Sequence, residues 1–390
     1  MISDDELQRI YDVVVAGAGP AGSACATLLG RAGLRVLLCD RAFFPRHKIC
    51  GETVNPRSWE FFESLGVADQ VSSRLVNRIL ALSVTNSMGR ETRVAIDQPT
   101  ERPFFSMGRD VLDHILVQAA ETAGVVFCDG AALTRAEWDG CWRIEIHDLR
   151  DERRIHLEAL HLIGADGRNS LVAGALMRSH GSPDRIKRPD GAERVGVWWH
   201  AAPRPDLKGE LCLYLFESGY CGLVDVDGLY TNVAMVIRPA LAASVRFDFR
   251  RFLEMTLWSN PVAAARFTEL SPIGEVTTTS PINPRRNHAR HPCAALIGDA
   301  RETVEPFTGE GIRYALEDGL AAAQLIIANR DGKCEQRSVG SGRFRVNRVF
   351  SPILRRPGIR DELISIAVRF PHLSRLAART VLPGHSDKPR

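Results

Sequence analysis

The order of apolar and polar positions changes several times along the chain. Asp12-Val13-Val14-Val15-Ala16 is a short β-branched run that passes directly into Gly17-Ala18-Gly19-Pro20-Ala21-Gly22 and then into small and apolar residues as far as Gly30. A short apolar run closed by glycines predicts a buried strand, and the longer stretch after it a helix. The uncharged length from Val13 to Gly30 raises the question of a membrane span, but its glycines and Pro20 suit a strand, a tight turn and a helix better. Gly33 is placed to stop that helix, and Leu34 to Cys39 predict a second buried strand ending at Asp40 and Arg41. Farther on, Asp110 opens an amphipathic segment with Val111, Leu112, Ile115, Leu116, Ala119 and Ala120 on one face as far as Gly124. Val125-Val126-Phe127 then predicts another parallel strand.

From about Asn77 to Thr100, and from about Glu193 to Val276, the pattern becomes short alternating runs such as Leu211 to Phe216 and Thr231 to Val236. These predict antiparallel strands. Leu162 to Gly167 and Ala294 to Asp299 predict two more buried strands ending in Gly/Asp turns. The expected fold is therefore α/β. A discontinuous Rossmann-like domain is made of residues 1–75, 101–180 and 277–330, and a β-rich substrate domain of 76–100 and 181–276 is inserted into it. Residues 331–390 are rich in arginine and punctuated by Pro352, Pro357, Pro371 and Pro383. They predict a solvated helical cap, with a peripheral membrane surface or a docked partner as the other reading.

Composition narrows the class. The 390 residues carry 50 Lys and Arg against 47 Asp and Glu, a net charge of +3, and are 45% apolar and 25% charged. That balance is globular and lacks the basic surplus that nucleic-acid binding requires. The nine cysteines are scattered and never form a C-x-x-C pair, so neither a metal site nor a disulfide framework is expected. Asp4, Asp5 and Glu6 stand where an export signal would be positive, so the expected setting is cytoplasmic, with no membrane span.

Gly17, Gly19 and Gly22 have G-x-G-x-x-G spacing between a strand and a helix, and Asp40 follows at the end of the next strand. That is the dinucleotide fingerprint in its required context. The helix N-terminus offers unpaired N–H groups and partial positive charge to a pyrophosphate, with Pro20 and Ala21 beside it, and Asp40 can accept from a ribose, next to Arg41.

Further motifs carry a resemblance to a known superfamily. Gly164-Ala165-Asp166-Gly167-Arg168-Asn169-Ser170-Leu171-Val172 looks like G-A-D-G-x-x-S-x-V, and Gly298-Asp299-Ala300 with Pro306-Phe307-Thr308-Gly309-Glu310-Gly311-Ile312 looks like the third fingerprint. Arg109 stands at the family's arginine, and Arg46-His47-Lys48-Ile49-Cys50-Gly51-Glu52 resembles the cysteine-glycine segment of geranylgeranyl reductases. Over most of residues 10 to 330 the chain thus resembles the aromatic-hydroxylase-type flavoproteins, which include FAD-dependent monooxygenases, halogenases and geranylgeranyl reductases.

The resemblance implies FAD as cofactor. Asp299 would hold a ribityl hydroxyl. Thr308, Gly309, Glu310, Gly311 and Ile312 would border the isoalloxazine, where helix N–H groups favour the reduced ring. Asp166 and Gly167 would shape the pyrophosphate pocket, and Arg109 would neutralise a phosphate. Cys50 and Gly51 would lie beside the ring, and Cys50, Glu52 and His47 are the candidate catalytic groups. Trp199, Tyr214, Phe216 and Tyr220 are candidates to line an apolar substrate pocket.

There is one G-x-G-x-x-G, so electrons are expected from transiently docked NAD(P)H or from a separate flavin reductase. Tyr220 matches the prenyl reductases' Y-x-W-x-F-P, but Gly222, Val224 and Asp225 replace its Trp, Phe and Pro, and the halogenase W-x-W-x-I-P is absent. The reading favoured by these departures is a monooxygenase. It would hydroxylate an aromatic or electron-rich substrate, free or carrier- or protein-borne, by way of a flavin C4a-hydroperoxide. A geranylgeranyl-reductase-like alkene reductase and a non-catalytic binding protein on the same fold are the alternatives.

Overall fold

The computed structural model describes residues 10–96, 101–179, 194–242, 248–257, 260–267, 269–282, 285–287, 289–304, 306–329, 356, 358 and 361–362. Apart from those last four positions, the expected C-terminal cap at 331–390 lies outside the described residues.

Five strands lie parallel in the order Val126–Cys128, Val36–Cys39, Ile10–Ala16, Arg153–Gly164 and Ala294–Leu296. They are short and apolar because helices cover both faces. On one face Ala21, Cys25 and Leu29 of the helix Pro20–Arg31 pack with Val117 and Ala120 of Arg109–Thr122 and with Ala322 and Ala323 of Gly311–Ala328. On the other face Val172 and Leu176 of the helix Leu171–Ser179 pack beside Trp142 and Leu162. The hairpin Ala131–Trp138 and Trp142–Asp148 continues the sheet antiparallel to the first half of Arg153–Gly164. The strands Ile10–Ala16, Val36–Cys39, Arg153–Gly164 and Ala294–Leu296 all end at one edge, where open α/β sheets bind ligands.

A second sheet has the order Thr277–Thr279, Val195–Ala201, Tyr230–Ile237, Gly219–Val226, Glu210–Phe216, Ala81–Thr85 and Glu91–Ala95. It is antiparallel except where Glu210–Phe216 pairs with Ala81–Thr85. Its two faces are both buried, one under the helices Phe249–Leu257 and Pro261–Phe267, the other against the strand-end edge of the first sheet.

This double burial corrects three expected substrate contacts. Trp199, Tyr214 and Phe216 point to the helix side, where they pack with Phe252 and Phe267, and the Trp199 indole donates to the Leu270 carbonyl at 2.8 Å. Because side chains alternate along a strand, their neighbours Trp198, Leu213 and Tyr220 face the other way, into a cavity. Among the described residues no helix is long and apolar enough to cross a membrane, and the eight cysteines there are free thiols.

Candidate active site

The glycine turn leaves the first strand at Gly17, whose φ is +103°. A side chain there would overlap the Ala165 carbonyl, and one at Gly22 would overlap the Gly17 carbonyl. Gly19 differs from both, because a methyl group on it would project into a ring of cations, 3.7 Å from Arg46 Nη2, 3.9 Å from Lys48 Nζ and 4.0 Å from Arg109 Nη2. Gly19 also caps the helix Pro20–Arg31 without a side-chain bond, so unpaired helix N–H groups meet three cationic side chains. This donor set fits the pyrophosphate of a dinucleotide.

One carboxylate organises these cations. Asp113, fully buried, accepts from Arg109 Nε at 2.9 Å and Nη2 at 2.7 Å, and lies 3.0 Å from Arg46 Nη1. Burial opposes the Arg109 charge, but Asp113 outweighs it, assisted by Cys50, and the guanidinium is held above its ordinary value. Lys48 lines the cavity, and the surrounding protein, with Arg109 next in effect, pushes its ammonium below the ordinary value while Asp299 works the other way. The sequence reading did not single out Asp113. Its signal was the Arg109–Asp113 spacing of four on one helix face.

Asp40 takes the Ala18 amide at 2.8 Å and the Ala42 amide at 2.9 Å and lies 3.7 Å from Arg46. It therefore holds the glycine turn, and its remaining lone pairs could accept from a ribose. Arg41 is exposed beside it. Asp166 departs from the expectation, because its Oδ2 accepts the Leu171 and Val172 amides at 2.7 and 3.3 Å and so caps the next helix. Burial raises its carboxyl despite those bonds. Gly167 and Arg168, next in the turn, border the cavity in its place.

Asp299 also borders the cavity. The turn that carries it is braced from behind by Asp318, which accepts the Gly298 amide at 2.9 Å and pairs with Arg301 at 2.8 Å. Gly309, Gly311 and Ile312 line the wall at the start of the helix Gly311–Ala328. Glu310 does not. It is buried, accepts from Asn55 Nδ2 at 2.8 Å and pairs with Arg313, so it fixes the helix start. The Thr308 side chain lies outside the described residues.

The cavity, of about 480 Å³, runs from Gly19 and Arg109 past Cys50 and Gly51 to the second sheet. There its wall is apolar, with Leu82, Val84, Leu213, Val236, Ile282 and Phe307. Tyr220 stands edge-on to Phe307 at 5.2 Å, the one expected substrate residue of the four that faces the cavity. Gly222 lines the cavity beneath Leu213. Val224 packs away with Ile79 and Phe104, and Asp225 accepts the Gly228 amide at 3.0 Å.

Cys50 lines the cavity, and its carbonyl accepts from Asn232 Nδ2 at 3.0 Å. Asn232 in turn accepts from the Trp198 indole at 2.5 Å. Glu52 lies behind this segment, fully buried, with Oε1 3.4 Å from the Tyr230 hydroxyl and from the Arg109 amide, and Oε2 3.5 Å from His200 Nε2. His47 is exposed and edge-on to His200 at 5.7 Å. Neither Glu52 nor His47 borders the cavity directly.

Comparison with known proteins agrees with this geometry. Residues 10–201 match the family model of an FAD binding domain. The menaquinone reductase of Mycobacterium tuberculosis H37Rv is 30% identical over 344 residues, covering 81% of this chain and 76% of the relative. The geranylgeranyl diphosphate reductase of Rhodobacter capsulatus is 29% identical, covering 82% of this chain and 75% of the relative. Among solved structures, that of Pseudomonas aeruginosa PqsL in complex with 2-aminobenzoylacetate superposes with a TM-score of 0.71 at 20% identity, over 92% of this chain and all of that one. With the glycine turn, its cations and the strand-end edge in place, the chain belongs to the FAD-dependent aromatic-hydroxylase-type flavoprotein superfamily and is an FAD-dependent oxidoreductase.

Proposed function

We propose that the protein is an FAD-dependent reductase that saturates a carbon–carbon double bond of an elongated apolar substrate of the isoprenoid class. The observation that carries this reading is the continuity of the cavity. A cationic, glycine-lined end suited to the cofactor opens without a break into a pocket walled by Leu82, Val84, Leu213, Val236 and Ile282. Such a wall binds hydrocarbon in proportion to the area covered, at about 25 cal/mol per Å², and offers few polar anchors to a small aromatic acid. The departures at Gly222, Val224 and Asp225 from the prenyl reductases' motif remove the large apolar wall expected there. Other strands supply an apolar wall instead, and Gly222 lines the cavity among them. The two reductases at 29–30% identity support the same reading.

When bound, FAD would supply the electron pair as hydride. In this reading Arg46, Lys48, Arg109 and the amides after Gly19 hold the pyrophosphate, Asp299 a ribityl hydroxyl, and Gly309 and Gly311 present N–H groups to the ring. The aliphatic wall excludes water and aligns the alkene, and Cys50 borders the cavity. NAD(P)H docking over the cavity mouth or a separate reductase would reload the electrons, in a reducing compartment such as the cytoplasm.

A second reading, hydroxylation of an aromatic substrate, free or carrier- or protein-borne, is favoured by the aromatic edge formed by Trp198, Tyr220 and Phe307. Anaerobic mixing separates the two. Dithionite-reduced holoenzyme should be reoxidised without oxygen by geranylgeranyl diphosphate, whose product gains two hydrogens by mass spectrometry. Reoxidation only in oxygen, with one oxygen atom added to 2-aminobenzoylacetate, would replace the first reading by the second.

A further inference from the structure

Behind the Cys50–Gly51 segment lies a group of buried and half-buried ionisable side chains drawn from five parts of the chain. Glu52 comes from the loop between the strands Val36–Cys39 and Thr53–Val54, His200 from the strand Val195–Ala201, and Tyr230 from the start of Tyr230–Ile237. Asp225 and Asp227 come from the end of Gly219–Val226 and the turn after it, and Asp110 from the helix start. His200 is stacked on Tyr230 at 3.8 Å, and its other edge meets Trp198 at 4.3 Å and His47 at 5.7 Å.

Three features separate this group from an ordinary structural ion pair. Glu52 Oε2 and His200 Nε2 face each other at 3.5 Å, and neither has a hydrogen-bond partner; Asp227 Oδ1 is buried and lacks one as well. The group is rich in negative charge, since Asp225, Glu52 and Asp110 all act on Asp227, while Lys208 offsets Asp225 and the Arg109 guanidinium is committed to Asp113. Like charges gathered in one group resist ionising together. Burial, followed by the charges of Asp225, Glu52 and Asp110, pushes the Asp227 carboxyl up to about 6, and burial with Glu52 raises the Tyr230 phenol. Finally, Glu52 at φ +53° and Asp227 at φ +56° are two of the three non-glycine residues with positive φ among the described residues. Such strain persists where the surrounding structure imposes it, and it gathers at functional sites.

We propose that Glu52, His200, Tyr230 and Asp227 form a buried proton store, filled from the surface through His47 and drawn on by the cavity through the Cys50 segment. The use made of the proton rests on the reductase reading. Hydride added to one alkene carbon leaves the other to take a proton, so the product gains both hydrogens and the store regains its proton from water.

The test uses holoenzyme reduced anaerobically, with infrared difference spectra of the protonated-carboxyl stretch in H2O and D2O and proton uptake followed by an indicator dye. The expected result is a deuterium-sensitive carboxyl change on reduction that E52Q abolishes, with proton uptake slowed about tenfold or more in Y230F, a variant that keeps the stack on His200. Should E52Q fail to hold FAD, D227N serves, and it should displace the same band. A wild-type spectrum without a carboxyl change, or an unchanged spectrum in the variant, would overturn the store. Alkene reduction without the carboxyl change removes the store and leaves the reductase. The carboxyl change without alkene reduction does the reverse.

Discussion

Replacing Asp113 by Asn tests whether the cations around Gly19 are arranged for an anion. One buried carboxylate accepts two hydrogen bonds from Arg109 and pairs with Arg46 at 3.0 Å. The asparagine keeps the shape, removes the charge and turns a donor toward the guanidinium. Breaking a buried ion pair by removing one partner costs about 3–5 kcal/mol. With FAD bound, two phosphate charges would lie near the same arginines and offset much of that loss, leaving about 1–2 kcal/mol by the same reasoning. By linkage, the difference appears as FAD affinity, a gain of about 2–3 kcal/mol or roughly 30–150-fold. Denaturant melts of the empty and loaded forms of wild type and D113N, with flavin titration by fluorescence, measure all four corners of the cycle. Equal destabilisation of both forms, or loss of flavin binding from a folded variant, would show that the arginines do not face the pyrophosphate.

Two further predictions follow from the geometry. Gly22→Ala should lower stability by about 1–3 kcal/mol or more, because its methyl overlaps the Gly17 carbonyl, whereas Gly19→Ala should melt close to wild type yet lose flavin, its methyl standing where phosphate would lie. Melting curves with bound-flavin absorbance distinguish the pair, and a flavin-loaded G19A would refute the assignment. Asp227 binds its proton more tightly folded than unfolded, its carboxyl being raised from 3.8 to about 6 by burial, so its contribution is most favourable below about pH 4 and declines as pH rises through about 6. D227N should therefore gain on wild type across that window, by about 1 kcal/mol at neutral pH once solvent screening of this half-buried group is allowed for. Denaturant midpoints from pH 4 to 8 give the difference curve, and a flat one would sink the argument.

What the amino-acid order determined is local. A β-branched run, a glycine turn and a small-residue helix are neighbours in sequence, so the turn at Gly17, the close approach at Gly22 and the acid at Asp40 could be read from spacing, as could the strands ending at Gly164 and Leu296. What only the tertiary structure decided is which face meets which. Leu213 and Tyr214 look alike in an alternating strand, and the pattern carries no mark of which side meets helices and which a cavity when both sides are buried. For the same reason the pattern does not tell Trp198, which faces the cavity, from Trp199, which faces the helices. Asp166 and Glu310 sit inside recognisable motifs but are held by a helix start and by Asn55 and Arg313, partners that no local spacing announces. The Glu52–Tyr230 contact joins residues 178 positions apart. Local rules end there, because a buried charge finds its partner through the packing of whole sheets, and only the folded chain brings those charges within reach of one another.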